Sequence, residues 1–499
     1  MTPLISQLDR CFNCGARPRN ICPAMDKGIC PSCCGSMRGS SIACASGCAY
    51  FPFAVPGYDL WLKTDSALAR KMLSRIKECF GQNHFENWMH RMSFEDDSLE
   101  HMMQTAAASA AYNILFIERS AKGLSPAREW KEEGWPGLSN DERQMMEFRL
   151  SSRATVIEVQ RVLDHQAMEC VDVLDPERGS FIVLDRSTAS QVVRYTRLLA
   201  WLTHYRYFSR IENNGVEIMD NIFDDFLMET KKRLMKETVK SPTITQKECL
   251  SQNFGFFCGL AQKMAKKRSL MMLRKMDLYD CKAVYRLLVP TEEILRVLEK
   301  EPDFKKENGP SSDQKPIPGA QYYSWLRRGR SKAIEKKMNS AFHSDDEPFG
   351  VGILGFVVLC PDRMIIGSFS KLKYRFAKKI AKQYFKGMIL LQGEKIVDLA
   401  KQMAEKKEPL EAEHQDRKQL ESMLASQSYE RTYKKFPDEP IPMLGGKTPR
   451  EASRDPLMHA SLVELMKIHI KGIDKQKKEK GVEFSLNALL DELNLPELK

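Results

Sequence analysis

Apolar and polar positions divide the chain into stretches of different period. Residues 11–50 are rich in Cys and Gly and carry few of the large aliphatics that build a core, so a metal must stand in for one. From Asp65 the pattern turns helical: Thr64 and Asp65 are cap candidates, and Leu68, Met72, Leu73 and Ile76 recur at helical spacing. A second apolar helix is expected over 102–118, and 130–136 reads as a loop beside Gly134 and Gly137. Between Ala154 and Met219 the period changes. Val-, Ile- and aromatic-rich runs at 155–163, 168–174, 181–185 and 197–208 are divided by Asp175-Pro176-Glu177-Arg178-Gly179 and closed by Asn213-Asn214-Gly215. Short strands with turn chemistry between them predict a small β-barrel or curled sheet, although 197–208 also fits a helix. Helix returns at about 221–237.

A second mixed stretch follows. It reads as strand 282–289, helix 292–299, a Pro/Gly/Ser/Lys linker at 304–318, strand 321–326, a hairpin of 351–359 with 364–369, and a helix from Ser370 towards Gly387. Charged helices at 394–406 and near 411–427 precede a compact segment at 429–471, a Lys-rich connector and a last helix at 485–493. No internal repeat is found. The elements predict a multidomain α+β protein. Its parts are a Cys-rich module at 1–58, a helical region at 59–150, a small β-rich unit at 151–220, a helical connector at 221–280, a mixed α/β unit at 281–400 and a helical tail at 401–499. A length of 499 residues leaves room for about three folded units. With 42% apolar and 29% charged residues, a wholly disordered or fibrous chain is excluded.

Fourteen cysteines are present, and eight fall between Cys11 and Cys48. Written out, they are Cys11-x2-Cys14-x7-Cys22-x7-Cys30-x2-Cys33-Cys34-x9-Cys44-x3-Cys48. The x2 and x3 pairs match a knuckle in which a tight turn aims two thiolates at one ion. Eight thiolates suit two tetrahedral zinc sites, since zinc lowers thiol pKa values and accepts four sulfurs without redox chemistry. One arrangement joins Cys11 and Cys14 to Cys30 and Cys33, and Cys22 and Cys34 to Cys44 and Cys48; adjacent Cys33 and Cys34 point differently and so belong to different ions. Iron–sulfur clusters held by four cysteines use the same x2 spacing, and spacing alone leaves both metals open. An all-thiolate site has no open coordination position, so such a zinc is structural. The other six, Cys79, Cys170, Cys249, Cys258, Cys281 and Cys360, are scattered, as buried thiols of a reducing compartment are.

The start of the chain has no signal-peptide pattern and no apolar run reaches the roughly 18 residues of a membrane span. A cytoplasmic protein is expected. Net charge is +11, from 77 Lys and Arg against 66 Asp and Glu, which permits binding to nucleic acid without demanding it. Distribution says more: Lys371, Arg375, Lys378, Lys379, Lys382 and Lys386 fall on one helical face, while Leu372, Phe376, Ile380 and Tyr384 take the flank and back. From Arg363 to Lys386 there are eight basic residues and no acid, a pattern suited to backbone phosphates; a merely solvated helix face accounts for it equally. Lesser basic runs lie at 263–275 and 327–337. No phosphate-binding loop, nucleophile elbow, HExxH or GxGxxG is present. His84, His90 and His101, near Glu86 and Glu100, form at most a polar cluster, and Asp96-Asp97 and Asp345-Asp346-Glu347 read as cap and loop acids. An enzyme with a dispersed site is therefore the weaker alternative.

Towards the end, Pro440 and Pro442 hold an extended approach, Gly445-Gly446 makes a tight turn, and Thr448 caps a helix with Pro449 at its first position and Glu451 three residues on. Asp455-Pro456 starts another helix carrying Leu462, Leu465, Met466 and Ile468. The string Leu444-Gly445-Gly446-Lys447-Thr448-Pro449-Arg450-Glu451-Ala452 is similar to the motif of the Xre/MbcA/ParS-type antitoxin toxin-binding domain. With the Cys-rich start, the chain also resembles bacterial proteins associated with SEC-C zinc motifs. The resemblance implies a zinc-binding bacterial protein that engages another protein through Leu444, Gly445, Gly446, Thr448, Pro449 and Arg450. It carries no upstream helix-turn-helix and no SEC-C ending of Cys-x-Cys with a terminal pair. The expectation is a non-catalytic protein with two zinc ions and nucleic acid as partner, reached through the 371–386 face and Arg17, Arg19 and Arg38 of the Cys-rich module. The competing expectation is a protein-interaction adaptor.

Overall fold

Where aliphatics are scarce, turns and one short hairpin order the chain. In the computed structural model, β1 (Asn20–Cys22) pairs antiparallel with β2 (Lys27–Ile29), and α1 (Pro31–Met37) follows. The structure describes residues 10–92, 100–212, 215–275, 279–309, 317–331, 333, 352–399, 426, 429–430 and 432–499. Outside them lie the expected helix at 411–427 but for residue 426, residues 400–406 of the one before it, Asn213-Asn214, part of the 304–318 linker and of the 327–337 basic run, Asp96-Asp97 and Asp345-Asp346-Glu347. The chain is α+β and forms two compact units, one of Met1–Ala265 with Glu411–Lys499 and one of Lys266–Leu410.

In the first unit, α2 (Tyr58–Phe80), α3 (Gln82–Met92), α4 (Glu100–Phe116), α5 (Pro126–Glu132) and α6 (Asn140–Arg149) build a helical layer. Leu68, Met72 and Ile76 of α2 are buried, as their spacing requires. The β-rich part comprises β3 (Arg153–Val162), β4 (Ala167–Asp172), β5 (Ser180–Leu184), the turn α7 (Arg186–Ala189), β6 (Arg197–His204), β7 (Ser209–Ile211) and β8 (Val216–Glu217). Neighbours run β3-β4-β5-β7-β6, and β6 also pairs with β3, so the sheet closes into a small barrel. Ile157, Val159, Met168, Cys170, Val183, Leu198, Ala200 and Leu202 form one core. Ala154, Val156, Leu199 and Trp201 join the larger core outside it. Strand β6 is thus buried on both faces, which is why its apolar run did not distinguish strand from helix. Next come α8 (Phe223–Thr238), α9 (Gln246–Gln252) and α10 (Phe254–Lys275).

The second unit holds β9 (Tyr279–Leu287), α11 (Thr291–Lys300), β10 (Phe304–Glu307), β11 (Gln321–Leu326), β12 (Ile353–Leu359), β13 (Arg363–Ser368), α12 (Lys371–Tyr384) and β14 (Ile389–Asp398). Strand order is β10-β11-β12-β13-β9-β14, every pair antiparallel. The connections β9-α11-β10 and β13-α12-β14 are therefore two interleaved split βαβ units. Both helices pack on one sheet face through Ile294, Leu298, Tyr374, Phe376, Ala377 and Ile380. Two expectations change here. The linker at 304–318 begins with edge strand β10, and the charged helix expected from 394 is strand β14 as far as Asp398. Both are edge strands solvated at most positions, which leaves too little apolar alternation to read.

The C-terminal part of the first unit contains α13 (Pro449–Ala452), α14 (His459–Lys480) and α15 (Asn487–Glu492) around Leu444, Leu462, Met466, Leu490 and Leu495. The Lys-rich connector is the second half of α14 and not a linker. Ion pairs along α14 hold it to the β-rich part: Lys467 reaches Glu158 at 2.7 Å, Lys471 reaches Glu217 at 2.9 Å, and Asp474 accepts from Arg194 at 2.7 Å. Among the described residues no helix is long and apolar enough to cross a membrane.

Candidate metal centre

Local backbone devices place the thiols of Cys11, Cys14 and Cys30. Gly15 at φ 74° closes the Cys11–Cys14 knuckle, its N–H donating to the Cys11 carbonyl at 2.9 Å. Cys30 is the N-cap of α1, its sulfur accepting from the Cys33 N–H at 3.4 Å. The Phe12 N–H donates to the Gly28 carbonyl at 3.0 Å, and so ties the first knuckle to the hairpin.

The result is convergence. The sulfurs of Cys11, Cys14, Cys30 and Cys33 all lie within 4.8 Å of one another, and Cys14 Sγ is 3.6 Å from Cys30 Sγ. Four sulfurs at about 2.3 Å from one tetrahedral zinc stand roughly 3.8 Å apart, so the donor set fits a single ion. The thiols also feel one another. Hydrogen bonding led by the Cys30 backbone lowers Cys11 to about 6. At Cys33 the Asn13 amide pulls downwards, but the sulfurs of Cys14, Cys30 and Cys11 help push it up to about 12. Four thiols this close cannot all ionise unless a cation takes up the charge.

Cys22, Cys34, Cys44 and Cys48 line a second space with Ile29, Ile42 and Tyr50. Burial raises the pKa values of Cys34 and Cys44, and the charges of Cys22 and Cys48 push each further in the same direction. These four are neighbours, less tightly drawn together than the first set. Cys33 and Cys34 fall to different groups because adjacent residues on a helix project about 100° apart.

Arg38 is not available as a cation of the module's surface. Its side chain is 14% exposed; Nε donates to Asp141 Oδ1 at 2.9 Å and a second nitrogen to the Tyr50 carbonyl at 2.6 Å. Asn140 and Gln144 bind the Arg38 carbonyl at 2.9 and 2.8 Å, and the Tyr207 hydroxyl donates to the Cys44 carbonyl at 2.8 Å. The halves of this clamp on α6 and the barrel lie 103 and 163 positions apart, so no local pattern in the sequence marks it. Arg17 and Arg19 are exposed.

On α12, Arg375, Lys379 and Lys382 are exposed, as is Lys386 in the turn beyond, while Tyr374, Phe376, Ala377, Ile380, Ala381 and Tyr384 are buried. Lys378 pairs with Glu394 at 2.5 Å, and Lys371 lies 5.1 Å from the Tyr279 ring centroid. In the C-terminal motif, Thr448 and Glu451 form the capping box, and Gly445 and Gly446 make a turn with φ of 65° and 85°. Leu444, Pro449 and Ala452 face inwards, and Arg450 pairs with Asp438 at 2.7 Å and Glu492 at 2.6 Å. His84 pairs with Glu118 at 2.9 Å, and that carboxylate also accepts from Trp88 at 2.9 Å. The side chains of His90, His101 and Glu100 lie outside the described ones. Comparison with protein-family models, curated proteins and solved structures gives no match.

Proposed function

We propose that the chain is a non-catalytic zinc-binding protein that serves as a scaffold for nucleic acid. The observation that carries the metal half is the convergence of Cys11, Cys14, Cys30 and Cys33 within 4.8 Å. A multi-iron cluster places metal and sulfide atoms between its thiolates and needs them farther apart; one ion does not. Cys22, Cys34, Cys44 and Cys48 would hold a second zinc, interleaved with the first. Such ions supply no open position for substrate, and their work is to fold a segment with few aliphatics.

The nucleic-acid half rests on Arg375, Lys379, Lys382 and Lys386, which stand exposed on the outer side of α12 and the turn after it. Charge reversal of Lys379 and Lys382 should weaken binding to an RNA or DNA probe and lower the dependence of affinity on salt by about two counter-ions. Unchanged affinity and slope would remove the helix from the reading. A protein-docking role is the second reading. It is favoured by Met443 and Leu457, 46% and 91% exposed, in the segment that carries the Gly445-Gly446 turn. A stoichiometric protein partner lost on Leu457→Lys would promote it.

A further inference from the structure

We infer that the sheet face of the second unit opposite α11 and α12 binds single-stranded nucleic acid. The inference deepens the nucleic-acid reading above and rests on it, but it uses other residues. Alternation along β9 sends Cys281, Ala283 and Tyr285 to the helices and Lys282, Val284 and Arg286 to the other side. The register then sets Arg286 directly opposite Arg363 of β13, and Lys282 directly opposite Lys395 of β14. Like charges placed directly opposite destabilise a sheet. A lysine on edge strand β14 has a use in blocking edge-to-edge pairing. Arg363 and Arg286 sit on neighbouring interior strands, where there is no edge to protect.

Nearby acids offset only part of this charge. Asp280 pairs with Lys282 at 2.9 Å and Asp362 approaches Arg363 at 3.7 Å, whereas Arg286 and Lys395 have no ion pair among the described residues. Aromatic rings share the face. Phe356 lies across Gly367, so closely that a Cβ there would come within 2.1 Å of the ring, and it stands 6.0 Å from Phe369, which is 49% exposed. Tyr322 projects to the same side two residues along, opposite Val358.

Cations on β9, β13 and β14 beside rings on β11, β12 and just after β13 complement a chain of alternating phosphates and flat bases. From Lys282 to Arg286 the cations span about 14 Å along β9, a length over which two or three bases stack on such a sheet. A duplex keeps its base faces stacked inside and cannot use the rings, so the occupant is a single strand.

The test uses the full-length, zinc-loaded protein. Fluorescence anisotropy measures binding of labelled uridine and thymidine oligomers and of a duplex of equal length. Single strands should bind at least ~10-fold tighter than the duplex, and Phe369→Ala with Arg286→Glu should cost about 10-fold. Circular dichroism and metal content should stay as in the parent. Arg286→Glu alone should lower the salt slope and Phe369→Ala alone should not. Full single-strand binding by the sheet variants, with loss on Lys379→Glu and Lys382→Glu, would overturn the inference and leave the nucleic-acid reading standing. No binding to any probe at low salt would remove both. A protein partner lost on the same sheet substitutions, with no nucleic acid bound, would overturn the inference in favour of protein docking.

Discussion

Individual residues carry two consequences of where charge is allowed to sit. The Cys11, Cys14, Cys30 and Cys33 sulfurs are close enough to share an ion, and Cys22, Cys34, Cys44 and Cys48 form a separate group. Cys33→Ser should therefore lower the zinc content by one per chain and spare the second ion, read by metal analysis of the purified variant. His204 on β6 is mostly buried and bonds Ser209 Oγ through Nδ1 at 2.7 Å. Desolvation, with Arg178 nearby, lowers its pKa from 6.5 to about 4. A depressed histidine contributes stability that is complete above the unfolded pKa and is lost as pH falls towards the folded one. The loss should amount to about 3 kcal/mol between pH 6.5 and about 4, measured by urea unfolding, and should shrink in His204→Gln. At this scale the grouping of Cys11 and Cys14 with Cys30 and Cys33 is legible, because x2 spacing has a geometric meaning. The role of Arg38 is not: a cation destined for a carboxylate on α6 looks in sequence like any surface arginine.

At the scale of elements, legibility followed burial. Helix α2 and strand β11 each bury one face and show it as a period. Strand β6 buries both faces and β14 buries almost none, and each lost its period for the opposite reason. The second half of α14 looked like a connector because its lysines outnumber its apolar residues. Two of them are tied to the β-rich part, Lys471 to Glu217 and Lys478 to the Val192 carbonyl, each at 2.9 Å. Glu158 is the centre of that seam, buried between Arg197 at 2.7 Å and Lys467 at 2.7 Å. Glu158→Gln leaves two cations poorly matched and should cost about 3 kcal/mol, read as a lower urea midpoint with an unchanged slope.

For the whole molecule the question is where the positive surplus resides. With two zinc ions held as proposed, eight thiolates would bring eight negative charges and the ions four positive ones, so the formal +11 would fall to +7. Arg38 is withdrawn into its pair with Asp141, and several lysines of α14 are spent on the barrel. In the second unit, cations stand exposed on α12 at Arg375, Lys379 and Lys382 and on the sheet at Arg286 and Arg363. On the proposed reading the Cys-rich module is a metal-held fold clamped to its own unit through Arg38 and Asp141, and binding is the task of other elements. Chelation should accordingly unfold the module, seen as lost protection of amides in 11–50 to hydrogen exchange. The most direct test of the metal-held module is elemental analysis of the full-length protein purified without added metal. Two zinc ions per chain and a colourless solution are predicted. Iron with visible absorbance, or a folded protein carrying no metal, would contradict the account.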